Sequence, residues 1–163
     1  IKTGSEMSKD RKQLPTSNPF KEAVEATPEI KNCYQPGLQA LGSYSTKIEL
    51  LNNRECNGSV EIDECVRPNY PTANRWDYVV SYKSAAYFIE VHSAETSEVS
   101  VVLTKLQWLK DWLNEQAPEL AKLKAKQPYY WIQSGKFSIP KTTPQYRRAV
   151  QSGILPISKL ILK

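Results

Sequence analysis

Residues 75–92 read RWDYVVSYKSAAYFIEVH. The stretch consists of two short arms that are rich in β-branched and aromatic residues, and each arm has the length of an average strand. Between the arms lie Lys83 and Ser84, two polar residues that suit a tight turn. The sequence therefore predicts a β-hairpin whose strands are residues 76–82 and 86–92.

The hairpin carries acidic residues at matching positions. For a turn of two or four residues, paired residue numbers sum to 167, so Asp77 lies directly opposite Glu90. Opposed side chains have Cβ atoms about 5 Å apart, and two carboxylates at that separation repel unless a proton or a cation lies between them. A divalent metal such as Mg²⁺, which prefers oxygen ligands, is the natural occupant. His92 shares a face with Glu90 because side chains alternate along a strand.

An ordinary polar strand face is the alternative interpretation. A half-solvated sheet carries polar residues on its wet face, and Asp77, Glu90 and His92 fit that description. The apolar neighbours, however, occupy both faces of the hairpin, which favours strands covered on both sides, where unpaired carboxylates are costly. These neighbours are Val79, Val80, Tyr87, Phe88, Ile89 and Val91. Spacing alone leaves both interpretations open.

Length and composition indicate a globular chain. The 163 residues, 40% hydrophobic and 24% charged, predict one domain with a sizeable core, and no apolar run reaches membrane-spanning length. We expect residues 1–19, which are polar, to form a mobile arm ahead of a domain over residues 20–163. Residues 1–6 are expected to be a vector remnant before a native start at Met7, the alternative being a fragment of a longer chain.

The cysteines and the histidine limit the kinds of site. Cys33, Cys56 and Cys65 make an odd number without metal-ligand spacing, which predicts free thiols in a reduced, cytoplasmic protein. The sole histidine is His92, and this excludes sites that need several histidines.

Charge is distributed unevenly along the chain. Residues 49–98 contain nine acidic and four basic residues, whereas residues 104–163 contain eleven basic and three acidic residues. An acidic centre with a basic second half fits a cation site beside a polyanion-binding surface. A lysine-rich, solubilising surface is the alternative.

Periodicity and turn residues predict the order of the elements. Helices are expected over residues 20–26, 36–51, 99–116 and 144–152, and strands over residues 59–66, 76–82, 86–92, 129–132 and 159–162. Strand, helix and strand in succession favour a right-handed crossover and a parallel pair, and the first three strands can form a meander. The predicted fold is α/β, with a central mixed sheet flanked by helices.

This order, with Asp in the second strand and Glu-x-His at the end of the third, resembles the PD-(D/E)XK nuclease superfamily, whose restriction-endonuclease-like fold has an αβββαβ core. The resemblance covers residues 36–134. Asp77 matches the first acid of the motif and Glu90 the second, and His92 stands where the family has a lysine.

The resemblance implies a metal-dependent nuclease that hydrolyses phosphodiester bonds of nucleic acids. Asp77, Glu90 and the carbonyl of Val91 would hold one or two Mg²⁺ or Mn²⁺ ions, which lower the pKa of a bound water. His92 would act as a base, a hydrogen-bond donor or an extra ligand. Because histidine is mostly neutral at pH 7, it cannot supply the fixed charge of the family lysine.

The resemblance also suggests residues around the catalytic trio. Lys105, Gln107 and Lys110 lie on the long helix, where relatives contact phosphates, and a solvated helix face is the alternative. Additional acids are expected at Glu49, from the first helix, or at Glu61 and Asp63, on one face of the first strand; for those two a solvent-facing role is the alternative.

Two functions remain open from the sequence. The first is the metal-dependent nuclease. The second is a binding module that keeps the fold without catalysis and binds nucleic acid, a protein partner or a second copy of the chain. Neither involves a membrane.

Overall fold

The structure, a computed structural model, describes residues 17–136 and 138–163. Most of the predicted mobile arm, residues 1–16, lies outside the described residues. The first helix of the described residues, α1, spans Pro19–Glu25 and so begins at the last residue of the predicted arm. Asn18 caps this helix because its side-chain oxygen accepts a hydrogen bond from the backbone N–H of Lys21.

The strands form two sheets. A short parallel pair consists of β1 (Ile48–Leu50) and β7 (Leu160–Leu162). A five-stranded sheet has the order β2-β3-β4-β5-β6 and consists of Cys56–Glu61, Tyr78–Tyr82, Ala85–His92, Lys124–Gln133 and Pro156–Ile157. Strands β2, β3 and β4 form an antiparallel meander, and β4, β5 and β6 run parallel. The prediction of an α/β protein with a mixed sheet is confirmed.

The hairpin prediction is confirmed in its register. Tyr78 pairs with Ile89 and Tyr82 with Ala85, so paired numbers sum to 167. The turn residues Lys83 and Ser84 have φ values of 50° and 63°, the left-handed conformation that matches a two-residue turn to the strand twist. The next position in this register, beyond the end of β3, brings Asp77 opposite Glu90.

The helices lie mainly on one face of the sheet. The other α-helices of the described residues are α2, α3, α4 and α5, which span Ile62–Val66, Val99–Glu115, Pro118–Ala121 and Pro144–Gln151. Helix α3 carries the chain from β4 to the parallel strand β5, as predicted. It packs with α5, and α1 packs with α4, over the core that contains Phe88 and Trp131; we call this side of the sheet the helical face.

A smaller core covers the other side of the sheet, which we call the opposite face. Ile89 and Ile132 of the main sheet pack there against Leu41, Ile48 and Leu160. Both sides of β4 are therefore covered, as the apolar residues on both faces of the hairpin predicted.

Two predicted elements are wrong. The helix expected over residues 36–51 is a 3₁₀ segment, Gln39–Lys47, which Gly42 interrupts with a φ of 54° before β1 begins. Glu49 consequently lies on β1, exposed, and it is not brought to the helical face. The strand expected over residues 59–66 ends at Glu61, where the chain turns into α2.

The prediction of three free cysteines is also wrong. Cys33 and Cys65, whose Cα atoms are 6.3 Å apart, form a disulfide, and Cys56 is free. The bridge forms because the segment around Pro28–Ile30 packs against α2, a contact between distant parts of the chain that spacing does not reveal. The inference of a cytoplasmic location from free thiols thereby loses its premise. Within residues 17–136 and 138–163, no helix is both long and apolar enough to cross a membrane.

Candidate functional site

Asp77 and Glu90 meet where β3 begins. The backbone N–H of Asp77 donates to Oε1 of Glu90 at 3.2 Å, and the backbone N–H of Val91 donates to Oδ2 of Asp77 at 3.0 Å. The two carboxylates thus accept backbone hydrogen bonds just beyond the last backbone pair of the strands. This exchange fixes both side chains at the predicted position.

Lys105 of α3 completes the acidic pair. Its ammonium contacts Oε2 of Glu90 and lies 3.5 Å from Oδ1 of Asp77. Because one nitrogen contacts both acids, the two carboxylates lie less than roughly 8 Å apart. At a larger separation they could not share a cation whose oxygen ligands lie at about 2.1 Å. The sequence predicted that Lys105 contacts phosphate, with a solvated helix face as the alternative, yet its side chain is only 15% exposed and reaches into the acidic pair.

The helical pattern contained a signal for this placement. Lys105 lies three residues after Val102 and four before Leu109, both of which are buried. Residues at these spacings lie on the same face of a helix. A cation in the apolar stripe of a helix is unusual, and its position indicates that a buried anion lies opposite.

His92 contacts the same carboxylate oxygen of Glu90 as Lys105 does. Its Nδ1 lies 3.2 Å from Oε2 of Glu90, and its Nε2 lies 3.5 Å from Oε1 of Glu98, which is too long for a good hydrogen bond. Among the hydrogen bonds and ion pairs of the residues described, the His92 ring pairs with these two acids, not with Asp77. The expected face is confirmed, but Lys105 rather than His92 contacts both members of the acidic pair.

Burial governs the charges of this cluster. Glu90 is 0% exposed, and its carboxylate is surrounded by the Asp77 N–H, the Lys105 ammonium and the His92 ring. Burial, followed by the charge of Glu90, raises the pKa of Asp77 to about 7, although Lys105 and the Val91 N–H oppose this rise. Asp77 therefore titrates near neutral pH.

The two basic groups of the cluster respond to the same acids. Burial by itself would lower the pKa of Lys105, but the charges of Glu90 and Asp77 together outweigh burial, and the pKa is raised. The hydrogen bond with Glu90 raises the pKa of His92 against the opposing effect of burial. Lys105 thus supplies a permanent positive charge beside the acidic pair, where the sequence analysis had expected His92 alone.

Asp63 and Glu61 do not form the acidic face that the sequence suggested. Because α2 starts directly after Glu61, the two residues are not on one strand. Asp63 lies near the site, since its backbone N–H donates to the carbonyl oxygen of Asp77 at 3.3 Å. Its carboxylate accepts a hydrogen bond from Nε of Arg75 at 2.9 Å, so its charge is already compensated.

Gln107 and Lys110 remain on the exposed surface of α3. The Gln107 amide donates to Oδ1 of Asp111, and the Lys110 ammonium lies 5.3 Å from the centre of the Tyr129 ring. Neither has a hydrogen bond or ion pair to the acidic pair in the described part of the chain. Of the three residues predicted to contact nucleic acid, only Lys105 reaches the site.

The metal ligands available here are few. Among the described residues, no three His, Cys, Asp or Glu side chains are placed to hold a metal ion. Asp77 and Glu90 would therefore be the side-chain ligands, with water in the other positions. Val91 can add its carbonyl, because the N–H and C=O of a strand residue point to the same side and its N–H points to Asp77.

No family model, curated protein or solved structure matches the chain. The chemistry of the site consequently has to be argued from its own geometry.

Proposed function

We propose that the protein is a metal-dependent nuclease that uses Mg²⁺ or Mn²⁺ to hydrolyse phosphodiester bonds. One observation carries the proposal: two carboxylates from adjacent strands and one ammonium from the following helix converge on a single point. Two acids can hold a divalent cation, and a lysine beside them can stabilise the negative charge that develops on a phosphate under attack.

The element order supports a restriction-endonuclease-like fold. The meander β2–β4, the crossover helix α3 and the parallel strand β5 follow the βββαβ part of the PD-(D/E)XK core, and α1 would supply its first helix. Asp77 precedes the second strand of the meander, and Glu90 lies near the end of the third. In this proposal Lys105 takes the part of the motif lysine, whose place in the strand is occupied by His92.

Each residue then has a distinct part in the reaction. Asp77 and Glu90 would hold the metal, which would supply a bound water of lowered pKa as the nucleophile. Lys105 has a flexible stem and would turn its ammonium to the phosphate. His92 would orient Glu90 through its contact with Oε2. The water would give up a proton to the solvent as its oxygen bonds to phosphorus, the bond to the leaving oxygen would break, and that oxygen would take up a proton.

A noncatalytic binding module is the second candidate. Glu90 is fully buried, and Lys105 compensates the charge of one of the two carboxylates. In this alternative the three residues form a structural ion cluster, and the basic half of the chain binds nucleic acid or a protein partner, including a second copy of the chain.

Cleavage assays separate the two candidates. Labelled single-stranded DNA, duplex DNA and RNA are incubated with Mg²⁺, Mn²⁺ or EDTA, and products are separated on denaturing gels. We expect metal-dependent cleavage that Asp77→Asn and Lys105→Met each reduce by about 100-fold or more, which corresponds to about 2.7 kcal/mol of transition-state stabilisation.

The matched controls are two exposed residues of the same types. Asp111 pairs with Gln107 on the surface of α3, and Lys122 pairs with Glu119 at 2.9 Å. Asp111→Asn and Lys122→Met should cleave like the wild type. Equal cleavage by wild type and Asp77→Asn would overturn the proposal, and no cleavage by the wild type with either metal would favour the binding module.

A further inference from the structure

A cavity of about 380 Å³ opens between the end of β5, the loop that follows it and α5. Its size falls within the range of about 300–1,000 Å³ that is typical of small-ligand pockets. Ile139 and Pro156 are apolar parts of its wall, Tyr146 contributes an aromatic ring, and Gln133 and Lys141 contribute an amide and a cation.

The cavity begins one strand away from the candidate site. In the parallel pair of β4 and β5, Glu90 is in register with Trp131, and His92 is in register with Gln133. Trp131 packs into the core of the helical face, so Gln133, two residues later, is directed to the same face as His92. Adjacent strands are about 4.8 Å apart, so the Gln133 end of the cavity lies about one strand spacing from His92.

The charged residues of the segment that lines the cavity all have one sign. All its lining residues belong to residues 120–163, a segment with nine lysines and arginines and no aspartate or glutamate. Such a segment attracts polyanions and disfavours cationic ligands. Lys141 lines the cavity itself, and Arg147 is exposed on the adjoining helix α5.

We propose that this cavity receives the base of an unpaired nucleotide that neighbours the scissile phosphate. The inference rests on the proposed function and deepens it, because it names single-stranded or locally unpaired nucleic acid as the substrate class. The Tyr146 ring stacks on the base, the Gln133 amide faces its polar edge, and Lys141 binds the flanking phosphate. Aromatic stacking of this kind accepts any base, whereas a paired base would first have to leave its duplex.

The test measures binding without chemistry. Asp77→Asn protein in EDTA is titrated into a labelled single strand of DNA and into a strand of the same length whose sugars all lack bases, and fluorescence anisotropy is recorded. The two strands carry the same phosphate charge. We expect about tenfold tighter binding of the strand with bases, which is the effect of stacking a single base, and a similar preference for it over the blunt duplex.

Substitutions in the cavity should remove this preference. Tyr146→Leu removes the aromatic ring, and Leu155→Trp fills the cavity from its exposed rim. Each variant should bind both strands with the affinity that the parent protein has for the abasic strand. Tyr146→Phe keeps the ring and should keep the preference. Tyr44→Leu alters an exposed aromatic residue of the 3₁₀ segment outside the cavity and should also keep the preference.

The contribution of Lys141 is tested separately. Lys141→Met should weaken the binding of both strands equally, and Lys122→Met, which makes the same change in charge, should weaken it less.

The proposal is overturned if the parent protein binds both strands equally, or if folded Tyr146→Leu and Leu155→Trp proteins both keep the preference. Because no metal is present, these outcomes do not depend on catalysis. A base preference that depends on Tyr146 in a protein that never cleaves nucleic acid would refute the nuclease and leave the cavity as a nucleotide-binding site.

Discussion

Both faces of the central sheet are covered, but the side chains that cover them differ in their chemistry. On the opposite face, the buried core consists of aliphatic and tyrosine side chains, including Val80, Ile89 and Ile132. On the helical face, β4 places Glu90 two residues beyond the buried Phe88, and α3 inserts Lys105 among its apolar residues. Since none of the described residues places a buried charge on the opposite face, the ion cluster is not a general requirement of this sheet. Buried ion pairs are weak evidence for stability, and this cluster is the site of the proposed metal.

Removing the Lys105 ammonium should have the largest effect among the substitutions that compare the two faces. Lys105→Met leaves the buried Glu90 carboxylate without the ammonium that compensates its charge. Breaking a buried ion pair in this way lowers the unfolding free energy by about 3–5 kcal/mol. Urea unfolding at pH 7 measures the loss. Lys122→Met, which breaks the exposed pair with Glu119, should cost less than about 1 kcal/mol.

A neutral version of the cluster serves as a further control. The triple variant Asp77→Asn, Glu90→Gln and Lys105→Met should recover most of the stability, because no charge remains buried. Similar losses for Lys105→Met and Lys122→Met would show that the cluster is effectively solvated and would remove the difference between the two faces.

The disulfide ties only the helical face. Cys33 and Cys65, which are 32 residues apart in sequence, pack against the helical core, whereas Cys56 packs against the core of the opposite face. Chain-entropy arguments give about 3–4 kcal/mol for a loop of this length. Replacing Cys33 and Cys65 with serine should lower the unfolding free energy by that amount.

Thiol titration in denaturant checks the pairing directly. We expect one reactive thiol before reduction and three afterwards. Cys56→Ser should abolish the single thiol and leave the effect of reductant on stability unchanged. Three reactive thiols in unreduced protein would contradict the assignment.

The helical face should also carry a distinctive pH dependence. The pKa of Asp77 is about 7 in the folded protein and near its ordinary value of 3.8 when unfolded, so the folded state binds more protons between these values. Its contribution to stability is therefore complete below the unfolded pKa and is lost as the pH rises through 7. The full shift corresponds to about 4 kcal/mol at about 1.4 kcal/mol per unit, and water at the partly exposed carboxylate should reduce the loss to about 2 kcal/mol.

Asp77→Asn removes this titration. Urea unfolding from pH 4 to pH 8 should show a flatter profile for Asp77→Asn than for the wild type, and Asp111→Asn should follow the wild type. Parallel profiles for all three proteins would mean that Asp77 titrates like an ordinary surface carboxylate.

The smallest effect is expected on the opposite face. Ile89 precedes Glu90 in sequence but lies on the other side of the sheet. Ile89→Val removes one buried methylene, and such changes lower the unfolding free energy by about 1 kcal/mol. The loss should be the same at every pH and should leave metal affinity and cleavage unchanged. A change in metal affinity in this variant would show that the two faces are coupled.

The sequence contained enough information for the acidic pair and too little for its cation. The register followed from local facts, because two polar turn residues, Lys83 and Ser84, fix which positions of the hairpin oppose each other. The long helix and its crossover were also predictable, since the apolar stripe of α3 is strongly periodic. Which turn of that helix lies over Glu90 depends on how the helix docks on the sheet, and Lys105 was therefore predicted to contact phosphate and not the acidic pair.

The errors have similar physical origins. Residues 36–51 have helical spacing, but Gly42 adopts a left-handed conformation that ends any regular helix there. Alternating residues at 60–66 suggested a strand, yet the chain turns at Glu61 so that Asp63 can pair with Arg75. The disulfide depends on the tertiary contact of two segments, and an odd number of cysteines does not exclude one pair.

The most direct test of the account is a calorimetric titration of the wild-type protein with Mn²⁺ and with Mg²⁺, beside Asp77→Asn and Asp111→Asn. We predict saturable binding at or below millimolar metal for the wild type and for Asp111→Asn, and none for Asp77→Asn, because one of the two side-chain ligands has lost its charge. Wild-type protein that takes up neither metal, or Asp77→Asn protein that binds it equally well, would contradict a metal site at Asp77 and Glu90.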